Sequence, residues 1–134
     1  MRMIKFRGKC AKDSRFAGEW VYGGLLQCEK SKDVLIVYPI TDTCSCTYHV
    51  DPATVGQFTG LFDKYGNEIY EGDILLNNGN RRIVEWKYGT FGLSMHENGF
   101  PFQAFYELPV PIVDSTVVGN IHDDKKLLKK GGKK

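Results

Sequence analysis

No apolar run in the 134 residues approaches the roughly 20 needed to cross a bilayer as a helix. The opening Met1-Arg2-Met3-Ile4-Lys5-Phe6-Arg7 lacks an apolar h-region and a small-residue cleavage site. A secretory signal is therefore not expected, and a cytoplasmic location is. A marked excess of one charge is missing too: 18 Lys and Arg face 16 Asp and Glu, for a net charge of +2. Six lysines fall within the last ten residues, Lys125 to Lys134, so the body without them is acidic. Totals thus indicate no basic face for nucleic acid. Helical periodicity is almost absent. Tyr22-Gly23-Gly24 and Gly131-Gly132 lack the strand-to-helix setting in which glycine loops cradle phosphate. Cysteines are few, and Cys10, Cys28, Cys44 and Cys46 should be reduced thiols in a cytosolic protein.

What is there is short strands punctuated by turns. Met3 to Phe6 alternates, with Ile4 and Phe6 on one face and Lys5 and Arg7 on the other. Ala11 to Gly18 reads as a loop. Glu19 to Leu26 is aromatic and β-branched, with Gly23-Gly24 suggesting a bulge. Val34 to Tyr38 is the most continuous apolar strand, ended by Pro39. Cys44 to Val50 follows and closes at Asp51-Pro52.

From Thr54 to Leu76, glycine-marked turns separate short apolar runs. Asp63-Lys64-Tyr65-Gly66-Asn67 is a turn in which Asp63 can accept from the backbone ahead and Gly66 can take a positive φ. Glu71-Gly72-Asp73 turns again into Ile74-Leu75-Leu76. Asn78-Gly79 carries the hairpin signal, and Arg82 to Trp86 returns with Val84 and Trp86 on one face. Phe91 to Met95, flanked by Tyr88-Gly89-Thr90 and Asn98-Gly99, is another strand. Phe102 to Leu108 is divided between strand and short helix. Thr116 to His122 is the last strand, and Asp123 or Asp124 is placed to cap a short helix through Leu127-Leu128.

This pattern predicts a mainly β protein. Residues 1–52 are expected to form an N-terminal antiparallel sheet, a β-meander lobe. Residues 53–122 are expected to form a small SH3-like barrel, and residues 123–134 a short helix and a disordered lysine-rich tail.

Candidate chemistry is thin. Cys44-Ser45-Cys46 with His49, completed by Cys10 or Cys28, offers four zinc ligands. The C-x-C spacing, however, puts two thiols on one strand face with little turn geometry, which favours free thiols. Asp63, Glu68, Glu71 and Asp73 could hold Mg²⁺ or perform acid–base work, yet Asp63 and Asp73 sit where turns favour aspartate. His49, His96 and His122 lie far apart, with no nucleophile motif nearby. The expectation is no catalytic residue, no metal and no cofactor.

Aromatic residues number 17. Trp20, Tyr22, Trp86, Tyr88, Phe91, Phe100 and Phe102 could leave an exposed ridge of the kind that takes up peptides or stacks single-stranded bases. Arg81, Arg82 and Lys87 lie beside Trp86 and Tyr88 in sequence. Arg81, Arg82, Trp86, Lys87 and Tyr88 are therefore the candidate partner or nucleic-acid surface.

Several segments carry a resemblance: Ile4 to Lys9, Glu19 to Gly23, Val50 to Leu61, Gly66 to Ile74, and Val118-Gly119-Asn120-Ile121-His122. Together, in this order and spacing, they resemble the YopX family of small proteins found mostly in bacteriophages and prophages. The resemblance implies an SH3-like C-terminal lobe, a phage or prophage origin, action inside a bacterial host cell, and self-association. It implies no catalytic residues. Cys44, Cys46 and the lysine tail depart from the family's pattern. The leading expectation is a non-enzymatic protein–protein binding or assembly module whose partner is another protein or a second copy. A single-stranded nucleic-acid-binding module and a metal-dependent enzyme are the alternatives.

Overall fold

β-Branched and aromatic runs divided by turn residues build eleven strands among residues 3–95 and 101–128, the residues that the computed structural model describes. They are β1 (Phe6–Lys9), β2 (Trp20–Gln27), β3 (Val34–Pro39), β4 (Ser45–Val50), β5 (Gly56–Phe62), β6 (Glu68–Tyr70), β7 (Asp73–Asn77), β8 (Asn80–Lys87), β9 (Thr90–Ser94), β10 (Phe102–Ala104) and β11 (Thr116–Asn120). The protein is mainly β, with two antiparallel sheets, and its helical elements among the described residues are 3₁₀ turns of three or four residues. The chain divides into two units, one ending at Phe58 and the other beginning at Thr59.

In the first unit β1 to β4 form an antiparallel meander. A 3₁₀ turn at Pro52–Thr54, capped by the Asp51 carboxylate on the Ala53 N–H, leads into β5, which pairs with β1 through Phe6 opposite Gln57. The core is Val34, Ile36 and Val50, with Phe6, Val21, Leu25 and Val55 packed against it. Expectations for two segments shift. Ile4 is 59% exposed rather than core-facing, because the strand starts only at Phe6. Gly23-Gly24 is the point where β2 changes partner: Trp20 to Gly23 pair with β1, and Gly24 to Gln27 pair with β3.

In the second unit the rest of β5 runs beside β6, and a five-stranded sheet has the order β10-β9-β8-β7-β11. Ile69, Leu75, Val84, Leu93 and Ile112 form the core, joined by Leu61, Phe105, Leu108 and Val117. The boundary lies later than residue 52 because β5 is hydrogen bonded to β1 at its start, the Phe58 N–H donating to the Lys5 carbonyl at 2.8 Å. Closure into an SH3-like barrel is not part of this order, which ends at β10 on one side and β11 on the other. The expected C-terminal helix is a single 3₁₀ turn, Lys125–Leu128. Asp124, expected as its cap, turns back instead and accepts from the Asn120 N–H at 3.1 Å. The lysine-rich residues 129–134 lie outside the described residues, so the expected tail does too.

Candidate interaction surface on the second unit

β8 and β9 form a hairpin whose turn is Tyr88-Gly89, both with positive φ (53° and 76°). The β7–β8 turn, Asn78-Gly79, has the same handedness (53° and 82°). Asparagine and glycine suit such a turn; tyrosine does not. Tyr88 is nevertheless there and 78% exposed.

Strand alternation decides where the five candidate residues go. Arg82, Val84 and Trp86 point to the face that carries the core, and Arg81 and Lys87 to the opposite face. Trp86 is 52% exposed and meets Phe91 edge-on across the hairpin (ring centroids 4.8 Å apart), while Phe91 stacks on Phe105 at 6.4 Å. A ladder of rings therefore runs from the core to the surface. Tyr88 meets Phe102 edge-on at 5.9 Å. The Phe102 ring lies over Gly92, where an added Cβ would fall 2.4 Å from Cζ. Tyr106, 83% exposed, sits in the 3₁₀ turn at Phe105–Glu107 that follows β10. Trp20 and Tyr22 belong to β2 in the first unit, and Phe100 lies outside the described residues.

The arginines have different fates. Arg81 donates to the Leu127 carbonyl at 3.2 Å. Arg82 is half-buried and donates through Nη1 to Gln103 Oε1 at 3.0 Å, and Gln103 Nε2 in turn donates to the Glu107 carbonyl at 3.3 Å. Gln103 escaped the sequence reading because nothing local marks it; only the β9–β10 register brings it to Arg82.

The two aspartates serve turns. Asp63, 5% exposed, accepts from the Tyr65, Asn67 and Val117 N–H groups and from Asn67 Nδ2, at 2.9 to 3.0 Å. Asp73, 2% exposed, accepts from the Tyr70 N–H at 2.7 Å, and Glu68 accepts from the Tyr70 hydroxyl. All four cysteines are free thiols. Cys10 is buried, and burial pushes its thiol pKa above the ordinary value. His49 lies in β4 and His122 just after β11, in different units, and His96 lies outside the described residues. Among the described residues no three His, Cys, Asp or Glu side chains are grouped to hold a metal ion.

The family model described as YopX protein matches residues 5–129. No curated protein matches the chain. Among solved structures, the crystal structure of protein EF1440 from Enterococcus faecalis is similar in fold, with a TM-score of 0.55 at 21% identity, covering 96% of this chain and all of that one. The match over nearly the whole length settles the family: the chain belongs to the YopX family.

Proposed function

We propose that the protein is a non-enzymatic protein-binding or assembly module of bacteriophage or prophage type, acting in the cytoplasm of a bacterial host. Its contact surface is the aromatic end of the second unit, Trp86, Tyr88 and Tyr106. The observation that carries this reading is Tyr88, a large ring more than three-quarters exposed and held at φ +53°, where an unconstrained turn would use asparagine or glycine. Exposed aromatics of this kind supply binding energy at low entropic cost, and Trp and Tyr dominate interface hot spots. The meander followed by a 3₁₀ turn and a returning strand supports an SH3-like reading of this unit, a scaffold whose aromatic ridges commonly hold peptides.

A polyanion fits the same surface less well. Arg81 and Lys87 sit on one face of β8 and Arg82 and Trp86 on the other, so one nucleic-acid strand would not meet all four together. The test is affinity capture from nuclease-treated bacterial lysate with the wild-type chain and with the double variant Tyr88→Asn, Tyr106→Ser. Both changes leave the core untouched. The reading expects a protein, or a second copy of the chain, retained by the wild type and lost by the double variant. Equal capture by both would remove this surface from consideration. Retention of a single-stranded oligonucleotide with steep salt dependence would move the assignment to nucleic acid.

A further inference from the structure

Beside this surface lies an open cavity of about 450 Å³ lined by Arg82, Met95, Pro101, Phe102, Gln103 and Glu107. Phe102 belongs to both, touching Tyr88 and lining the cavity. Arg82 is unusual there. Its guanidinium has one neutral partner, Gln103, and among the described residues no carboxylate pairs with it. Its Nε is out of contact with water and, among the described residues, has no acceptor. Among the described residues this half-buried cation therefore has no paired anion, and its surroundings in the cavity include the apolar Met95, Pro101 and Phe102.

We propose that this cavity receives an acidic side chain, Asp or Glu, of a partner protein segment, with the adjoining apolar residue seated on Met95, Pro101 and Phe102; the proposal rests on the protein-binding reading above. Three observations select this occupant. First, Arg82 is the one cation among the described residues that line the cavity. A polyanion needs several cations along its length, whereas a single carboxylate needs one. Second, capture of a chain-terminal carboxylate uses free backbone N–H groups, and here the Met95 N–H is bonded to the Pro101 carbonyl and the Ala104 N–H to Glu107. Third, Gln103 is held by both Arg82 and the Glu107 carbonyl, so the guanidinium is fixed in place before any partner arrives.

The test is NMR titration of the isotope-labelled full chain, following the Arg82 Nε–Hε and Met95 methyl signals. The probe is the dipeptide acetyl-Glu-Leu-amide, and the neutral control is acetyl-Gln-Leu-amide. The glutamate peptide is expected to move both signals with half-saturation at about millimolar concentration, at least about tenfold below that of the control. Arg82→Gln should abolish the response and Arg82→Lys weaken it several-fold, with the Ile83 and Val84 amides reporting that β8 is intact. No shift at tens of millimolar peptide, or equal shifts from both peptides, would overturn the proposal. So would a stronger response to acetyl-leucine, inorganic phosphate or a single-stranded oligonucleotide. If Arg82→Gln still captures the partner that the Tyr88 and Tyr106 variant loses, the cavity is not part of the interface and the protein-binding reading survives alone.

Discussion

At Asp63 a buried carboxylate joins two distant parts of the second unit. Burial alone would raise its pKa; hydrogen bonds from the Val117 N–H, the Asn67 side chain and the Asn67 and Tyr65 N–H groups outweigh it and hold the pKa below the ordinary value. The folded pKa thus lies below the unfolded value of about 4. The ionised carboxylate stabilises the fold above that value, and the contribution is lost as the pH falls through the folded pKa. Asp63→Asn is expected to cost about 2–4 kcal/mol at pH 7, because an amide N–H₂ then faces donors, and to flatten the loss of stability below about pH 4. Urea denaturation across pH 3–7 checks both, and an unchanged acid limb would refute the role. The turn half of this site was legible, since Asx chemistry is local. The Val117 bond, spanning 54 residues, was not. The cysteines give a second expectation: iodoacetamide at pH 7.5 should alkylate exposed Cys44 well before buried Cys10, read by mass spectrometry. Arg82 shows the opposite case. Its sharing a face with Trp86, apart from Arg81 and Lys87, follows from the parity that pairs Val84 with Trp86, so the split of the five residues could have been read from sequence alone.

Among the elements, hairpin turns were the most legible, because Asn78-Gly79 states its positive φ angles in its own composition. The Tyr88-Gly89 turn hid behind a residue that ordinarily avoids that conformation. Phe102 to Leu108 resisted assignment because it is two elements, three residues of β10 and then a 3₁₀ turn, with no periodicity to favour either. The double glycine of β2 was seen, but its reason was not local. A Cβ on Gly23 would lie 2.1 Å from the Val37 carbonyl oxygen, whereas one on Gly24 would meet nothing closer than 4.0 Å. Gly23→Ala is expected to cost about 2–3 kcal/mol by forcing β2 from β3, and Gly24→Ala less than about 1 kcal/mol. Thermal unfolding of the two variants separates them. Equal losses would mean that general strand flexibility, not the close approach at Gly23, explains the pair.

Across the molecule each unit repeats one connection: a four-strand meander, a 3₁₀ turn, and a strand that returns to pair with the first. In the first unit β5 returns to β1; in the second, β11 returns to β7 after the turns at Phe105–Glu107 and Ile112–Asp114. The return strand is the costly part of such a plan, since its partner is far away in sequence and loop closure precedes any gain. For the second unit the return brings Ile112 and Val117 to the core and gives Asp63 its Val117 donor. The C-terminal third should therefore decide whether this unit folds, although the recognisable turns lie earlier. A chain ending at Leu108 is expected to lose the native methyl signals of Ile69, Leu75, Val84 and Leu93. The milder Ile112→Ala should keep them and cost about 2–4 kcal/mol. Native signals from the shortened chain would show that β6 to β10 suffice, and that the return strand only secures a core already formed.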